Sequence, residues 1–185
     1  MAALAGSVSR RYARALFSLG CDNGQFEAYG RELGLLAEVF AGSEELRNAM
    51  ANPVVKDSEK RAILDGILGA LLPPVGASSE VRRFVRLLLE RRRIIELPRV
   101  ASAYQRLTDE RLGRVRGRVV SATPLDSAAL DEIRAALEAR TGKQVLLETS
   151  VDPEILGGVV AHVGDLVLDG SLRSRLETLS RKILN

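Results

Sequence analysis

The sequence predicts a mainly α-helical protein, with an N-terminal six-helix bundle followed by a small α+β domain. Three observations carry this expectation. Apolar residues recur at helical spacing through roughly the first hundred residues, with only short breaks. From Val115 onward the text changes to short Val- and Leu-rich runs separated by turn residues. Ala, Leu, Arg and Glu dominate throughout, Trp is absent and aromatic residues make up 4% of the chain, a composition that favours helix. A length of 185 residues allows one medium domain or two small ones. The change of pattern falls near Arg106 to Gly113, dividing the chain into 1–107 and 108–185 with no Pro/Ser-rich linker between them.

The first helix is expected from about Ser7 to Gly20, where Val8, Tyr12, Ala15, Leu16 and Leu19 share one face and Ala13 and Phe17 form a second, narrower apolar strip. Cys21-Asp22-Asn23-Gly24 breaks it. The second helix runs from about Phe26 to Phe40 with Leu33, Leu36, Ala37 and Phe40 inward, and Ala41-Gly42-Ser43 stops it. Ser43 followed by Glu44 and Glu45 opens a short third helix ending near Ala51, because a Ser cap and acidic first turn satisfy a helix N-terminus. Pro53 biases Asn52 away from helix. The fourth helix begins at Asp57 and carries Ile63, Leu64, Ile67, Leu68 and Leu71 as far as the Pro73-Pro74-Val75-Gly76 stop. Ser78-Ser79-Glu80 opens the fifth, with Val81, Phe84, Val85 and Leu88 on one face and arginines opposite. The sixth starts near Leu97 and continues through Val100, Tyr104 and Leu107 toward Leu112 and Gly113. Short loops imply antiparallel neighbours in a compact bundle.

Beyond the sixth helix, Val115 to Ala122 reads as a strand, Thr123-Pro124-Leu125-Asp126 as a turn, Ser127 to Arg140 as a helix and Val145 to Thr149 as a second strand. Val159 to Val163 and Leu166 to Leu168 form two more strands across a Gly164-Asp165 reversal. Asp169-Gly170-Ser171 then opens an amphipathic helix from Leu172 to Leu184. Strand, helix, three strands and helix suit a small sheet with helices on one face.

Chemistry of the catalytic kind is not legible. His162 is the only histidine, and on a strand it reads as a surface residue. Asp165 and Asp169 lie four apart around the reversal without further oxygen ligands at loop spacing, so they read as turn formers. Thr141-Gly142-Lys143-Gln144 lacks the upstream Gly and the Ser or Thr of a phosphate loop, and reads as a helix stop at Gly142. Cys21, the single cysteine, has no basic neighbour to activate it and excludes an internal disulfide. No nucleophile motif, carboxylate pair, dinucleotide fingerprint or metal set stands out, so neither enzyme activity nor a cofactor or metal is expected. No apolar run approaches the roughly 20 residues of a membrane span, and no secretory leader is evident.

The net charge of +3 is mild, and acids interleave with bases almost everywhere. The Arg82–Arg93 cluster suits either an acidic-partner surface or a solvated helix face, with the solvated reading favoured for most of it. A basic helical nucleic-acid binder and a peripheral membrane protein using this cluster on anionic lipid are the alternatives. The interleaved acids and the lack of a large exposed aromatic count against both. The positive case is excess apolar width. Two strips on the first helix, and Leu87 and Leu89 flanking the stripe of the fifth, make either a groove for a third amphipathic helix or ordinary core.

Three segments, in order, carry a family resemblance: Val8-Ser9-Arg10-Arg11-Tyr12-Ala13-Arg14-Ala15-Leu16-Phe17; Glu90-Arg91-Arg92-Arg93-Ile94-Ile95-Glu96-Leu97-Pro98; and Val151-Asp152-Pro153-Glu154-Ile155-Leu156-Gly157-Gly158 with Gly164-Asp165-Leu166-Val167-Leu168-Asp169-Gly170-Ser171 and the following Leu-Arg-x-Arg-Leu pattern. Together they resemble the delta subunit of F-type ATP synthases, called the oligomycin-sensitivity-conferring protein in mitochondria. The resemblance implies a static, non-catalytic connector of the peripheral stalk, or stator, in proton-driven ATP synthesis. Such a subunit is peripheral on the cytoplasmic face of the bacterial plasma membrane and is membrane-associated only through its complex. Its first and fifth helices take the N-terminal helix of an alpha subunit, and its C-terminal domain takes the ends of the b subunits; nucleic acid is not a partner. Carried onto this chain, the groove residues are Tyr12, Ala13, Leu16, Phe17, Val81, Phe84, Val85 and Leu88, the stalk-facing residues lie within 158–184, and Arg93 braces the junction of helices five and six. Two departures stand out: Ala161 replaces a branched apolar residue, and Arg91-Arg92 replace a pair that commonly begins with Asn.

Overall fold

Glycine and short polar caps cut this chain into its elements. The computed structural model describes residues 2–72, 78–152, 158–163 and 166–169. Its helices are α1 (Ala2–Asp22), α2 (Phe26–Gly42), α3 (Glu44–Ala51), α4 (Asp57–Leu71), α5 (Ser78–Glu90), α6 (Leu97–Arg111) and α7 (Ser127–Thr141), with a 3₁₀ turn at Ile94–Glu96 before α6. The strands are β1 (Arg114–Ser121), β2 (Gln144–Val151), β3 (Val159–Val163) and β4 (Leu166–Asp169). The expected six helices, followed by a mixed helix-and-strand region, are therefore present. The 3₁₀ turn was not anticipated, and α1 starts earlier than expected. The Pro73–Gly76 stop, the Gly164-Asp165 reversal and the Leu172–Leu184 helix lie outside the described residues.

The chain divides into two compact units, Met1–Thr108 and Asp109–Asn185. In the first, Leu33, Leu36 and Phe40 of α2, Leu64 and Leu68 of α4, the α5 stripe, and Leu97, Val100 and Tyr104 of α6 are buried in one core. Caps fit the sequence signals. The Ser43 hydroxyl accepts the Leu46 N–H at 3.1 Å to start α3. A side-chain oxygen of Asp126 accepts the Ala129 N–H at 2.8 Å to start α7. Gly142 stops α7 at φ +66°, donating its N–H to the Glu138 carbonyl at 2.8 Å.

The end of α5 is less ordinary. Arg92 N–H bonds the Leu89 carbonyl at 2.9 Å and Arg93 N–H bonds the Leu88 carbonyl at 2.7 Å, the paired bonds of a Schellman stop. That stop requires a left-handed residue, and Arg92 supplies it at φ +54°, the one non-glycine with positive φ among the described residues. Arg93 itself is exposed, so its backbone forms the junction that its side chain was expected to brace.

The second unit is a four-stranded sheet in the order β2-β1-β3-β4, with β1 and β2 parallel and the other pairs antiparallel. The α7 crossover joins the parallel pair, as such a pair requires. Val119, Val145, Ala161 and Val163 cover one face of the sheet, where Leu137 of α7 completes the core. Ala161 is buried in register with Val119. Gly117 lies at the middle of β1, where an added Cβ would stand 2.8 Å from Val163 Cγ2 and 3.1 Å from Leu147 Cδ2.

Candidate partner-binding face

The first helix turns a different side inward from the one expected. Ser9, Ala13, Leu16 and Gly20 are buried, whereas Ala15 is exposed and Leu19 is 39% exposed. Small size explains the buried strip. A Cβ on Gly20 would meet the Phe26 Cα and the Tyr104 hydroxyl, each at 2.9 Å, so α1 rests against α2 and α6 only because this position has no side chain. Ser9 contributes by donating its hydroxyl to the Glu96 carboxylate at 3.0 Å.

Phe17 lies on the flank of this strip nearest α2 and α6. Its ring makes edge contacts with Phe26 at 5.9 Å and Tyr104 at 5.5 Å between centroids. The Tyr104 hydroxyl donates to the Phe26 carbonyl at 2.9 Å. Burial holds the Tyr104 phenol above the ordinary tyrosine range, and neighbouring Cys21 and Tyr29 push it the same way. This aromatic group ties three helices together inside the unit.

Tyr12 lies on the other flank and meets Phe84 of α5 edge-on at 6.3 Å. At about 100° per residue, Val8, Ala15 and Leu19 continue the Tyr12 side of α1, and Leu87 continues the Phe84 side of α5 away from the core. Leu87 is 39% exposed, as is Leu19. Half-buried Val8 and Tyr12, exposed Ala15 and Leu19, and Leu87 thus border the line where α1 and α5 meet.

The eight expected groove residues are placed unequally by this geometry. Ala13, Leu16, Val81, Phe84, Val85 and Leu88 are buried in the unit's own core. They shape the seam from beneath and do not present a surface. Phe17 is half-buried on the opposite flank of α1 from Tyr12, against Phe26 and Tyr104. Only Tyr12 is both at the seam and partly open. Leu19 and Leu87, which replace the buried residues as exposed apolar surface, were visible in the sequence. Leu19 was assigned to the packed face, because Ser9 and Gly20 do not register in a count of apolar residues.

Three of the six arginines in the Arg82–Arg93 cluster are bonded within the unit, and Arg91, Arg92 and Arg93 are exposed. Arg82 donates to the Leu68 and Leu72 carbonyls and so caps the end of α4. Arg83 pairs with Glu80 at 3.1 Å, and Arg86 with Asp65 at 2.9 Å. These are bonds of a solvated helix face. In the second unit His162 is exposed on β3, in register with Arg118 and Val167. Among the described residues no three His, Cys, Asp or Glu side chains gather as a metal site, and no helix is long and apolar enough to cross a membrane.

A helical unit with an open apolar seam, joined to a small mixed sheet, has a match along nearly its whole length. The family model of the ATP synthase delta (OSCP) subunit matches residues 8–183. The chain belongs to that family. The ATP synthase subunit delta of Anaeromyxobacter dehalogenans (strain 2CP-C) is 43% identical over 180 residues, covering 97% of this chain and 98% of that protein. Its counterpart in Myxococcus xanthus (strain DK1622) is 37% identical over 177 residues, covering 96% of each. Among solved structures, a chain of the Toxoplasma gondii mitochondrial ATP synthase hexamer aligns with a TM-score of 0.68 at 26% identity, over 96% of this chain and 97% of that one. The family thus accounts for both units, including the terminal segment outside the described residues.

Proposed function

We propose that this chain is a non-catalytic peripheral-stalk subunit of an F-type ATP synthase. In this reading it holds the catalytic head against rotation. The seam of the first unit seats the N-terminal helix of an alpha subunit, and the second unit takes the ends of the b subunits. The assembly lies on the cytoplasmic face of the bacterial plasma membrane, with this chain reaching the membrane only through its partners. The family match over residues 8–183 supports the stalk assignment. The observation that carries the alpha-subunit contact is the apolar border formed by Tyr12, Ala15, Leu19 and Leu87 along the α1–α5 line. An amphipathic helix laid there would cover these residues through its i, i+3, i+4 face. Arginines already bonded to Asp65, Glu80 and backbone carbonyls favour this reading over nucleic-acid binding.

The test is titration of the full chain with a synthetic alpha N-terminal peptide. Leu19→Asp and Leu87→Asp are each expected to weaken binding at least tenfold, about 1.4 kcal/mol. The unfolding midpoint should change little in either, because both side chains are already partly in water. Absence of binding by the parent chain, or unchanged binding by both variants, overturns this assignment of the seam.

A further inference from the structure

On the flank of α1 away from the Tyr12 seam, a groove of about 420 Å³ lies between α1 and α6. Arg10 enters it from α1, and Pro98, Arg99, Ser102, Ala103 and Arg106 line it from α6. Ser9 meets Glu96 just before α6, and Phe17 meets Tyr104 eight residues further along both segments. The two helices therefore run in the same direction beside the groove. Arg10 stands level with the first turn of α6, whereas Arg106 lies nine residues beyond Leu97, about two and a half turns on.

The charges here are unequally matched. Arg99 pairs with Glu96 at 3.2 Å, and the same carboxylate accepts the Ser9 hydroxyl, so this acid is already engaged. Asp109 of α6 is bonded to Arg116, and Glu110 does not line the groove. Arg10 and Arg106 are exposed, and neither has a hydrogen bond or ion pair with another described residue. α1 carries Arg10, Arg11 and Arg14 and no acid before Asp22, its last residue. The interleaving of acids and bases seen elsewhere in the chain is thus missing on this helix. The groove keeps two uncompensated guanidiniums beside the half-buried apolar surface of Pro98 and Ala103.

A guanidinium presents a planar fork that matches a carboxylate. Two forks entering from levels more than two turns apart suit two carboxylates on one polypeptide segment better than a single phosphate or headgroup, which would engage one end. The apolar surface between them suits the methylene stems of acidic side chains. We propose that the α1–α6 groove docks an acidic segment of a partner polypeptide, with one carboxylate on Arg10 and a second on Arg106. The site is separate from the α1–α5 seam and does not rest on the alpha-subunit reading.

The test titrates the full chain at low ionic strength, where exposed charges are least screened, and follows the amide NMR shifts of Ser102 and Ala103. The probe is a blocked alanine-rich helical peptide with glutamate at every fourth position. Its controls are the same peptide with glutamine at those positions, inorganic phosphate, phosphatidylglycerol vesicles and a single-stranded DNA oligonucleotide. Saturable binding of the glutamate peptide is expected with a Kd on the order of 1 mM, because exposed ion pairs are individually weak. The glutamine peptide should bind at least tenfold more weakly. Arg10→Gln and Arg106→Gln should each weaken the glutamate peptide at least threefold, and the double variant at least tenfold, with the remaining amide shifts unchanged. Arg83→Gln, on another face, should bind as the parent does, and so should Leu87→Asp, which separates failure of the α1–α5 seam from failure of this groove. No saturation by the glutamate peptide, equal binding of the glutamine peptide, or indifference to the double variant overturns the proposal. Tighter binding of phosphate, vesicles or the oligonucleotide through the same two arginines also overturns it, in favour of a phosphate-bearing partner.

Discussion

Alanine at Gly20 and alanine at Gly66 should move stability in opposite directions, although both replace a helical glycine. At Gly66 in α4 nothing lies within 4 Å of an added Cβ. The substitution there collects the helix-propensity gain of about 0.8–1 kcal/mol and nothing else. At Gly20 the same gain is opposed by contacts at 2.9 Å to the Phe26 Cα and the Tyr104 hydroxyl and at 3.0 Å to a Tyr29 ring carbon. One of these is backbone and cannot swing aside. Overpacking of this kind costs about 1–3 kcal/mol. Displacing the Tyr104 hydroxyl also endangers its bond to the Phe26 carbonyl, worth about 1 kcal/mol. The net expectation is destabilisation by about 1–2 kcal/mol for Gly20→Ala against stabilisation by nearly 1 kcal/mol for Gly66→Ala. Urea unfolding followed by tyrosine fluorescence reads this cleanly. Tyr12, Tyr29 and Tyr104 are the only tyrosines, tryptophan is absent, and all three belong to the first unit. With a urea slope of about 1–2 kcal/mol/M, the two midpoints should separate by about 1–3 M. A Gly20→Ala midpoint raised as far as that of Gly66→Ala would show that α1 does not rest on α2 and α6 through this position.

Tyr104→Phe should lower stability by about 1 kcal/mol near neutral pH through loss of the Phe26 bond. Because burial raises the folded-state pKa of Tyr104, its phenol stays protonated in the folded chain after the unfolded chain begins to ionise near pH 10. Its contribution is therefore complete below that pH and falls as pH rises, by up to about 1.4 kcal/mol per pH unit. The gap between parent and Tyr104→Phe should shrink above about pH 10 in denaturation series, and a constant gap would refute the assignment. Arg92→Asn should stabilise the first unit by about 0.5–1 kcal/mol, since Asn tolerates the left-handed region better than Arg; a lowered urea midpoint would contradict this.

Helix boundaries were the most legible part of this sequence, because caps and stops are local chemistry. Ser43, Asp126 and Gly142 each do in the structure what their residue types suggest. Facing was less legible. The first helix is apolar over much of its circumference, so periodicity left the choice of side open, and contact with α2 and α6 decided it through Ser9 and Gly20. The groove residues suffered from the same ambiguity. A stripe such as Val81-Phe84-Val85-Leu88 signals burial but cannot say whether the covering helix belongs to the chain itself or to another. Family resemblance supplied the class of function, and side-chain packing then separated Tyr12 from Phe17. The left-handed Arg92 was hidden for another reason: a Schellman stop is usually announced by glycine, and here the announcing residue is absent.

The hollow at Gly117 has a consequence for how the sheet finds its alignment. Val163 reaches across β1 from one neighbour and Leu147 from the other, and both methyl groups enter the space that a side chain would fill. Sliding β3 by one residue would turn its apolar side to water. Sliding it by two would drive Val163 against the side chain of Val115 or Val119 in β1, where no such recess exists. The missing side chain therefore works as a keyway, admitting one strand alignment and jamming its near neighbours.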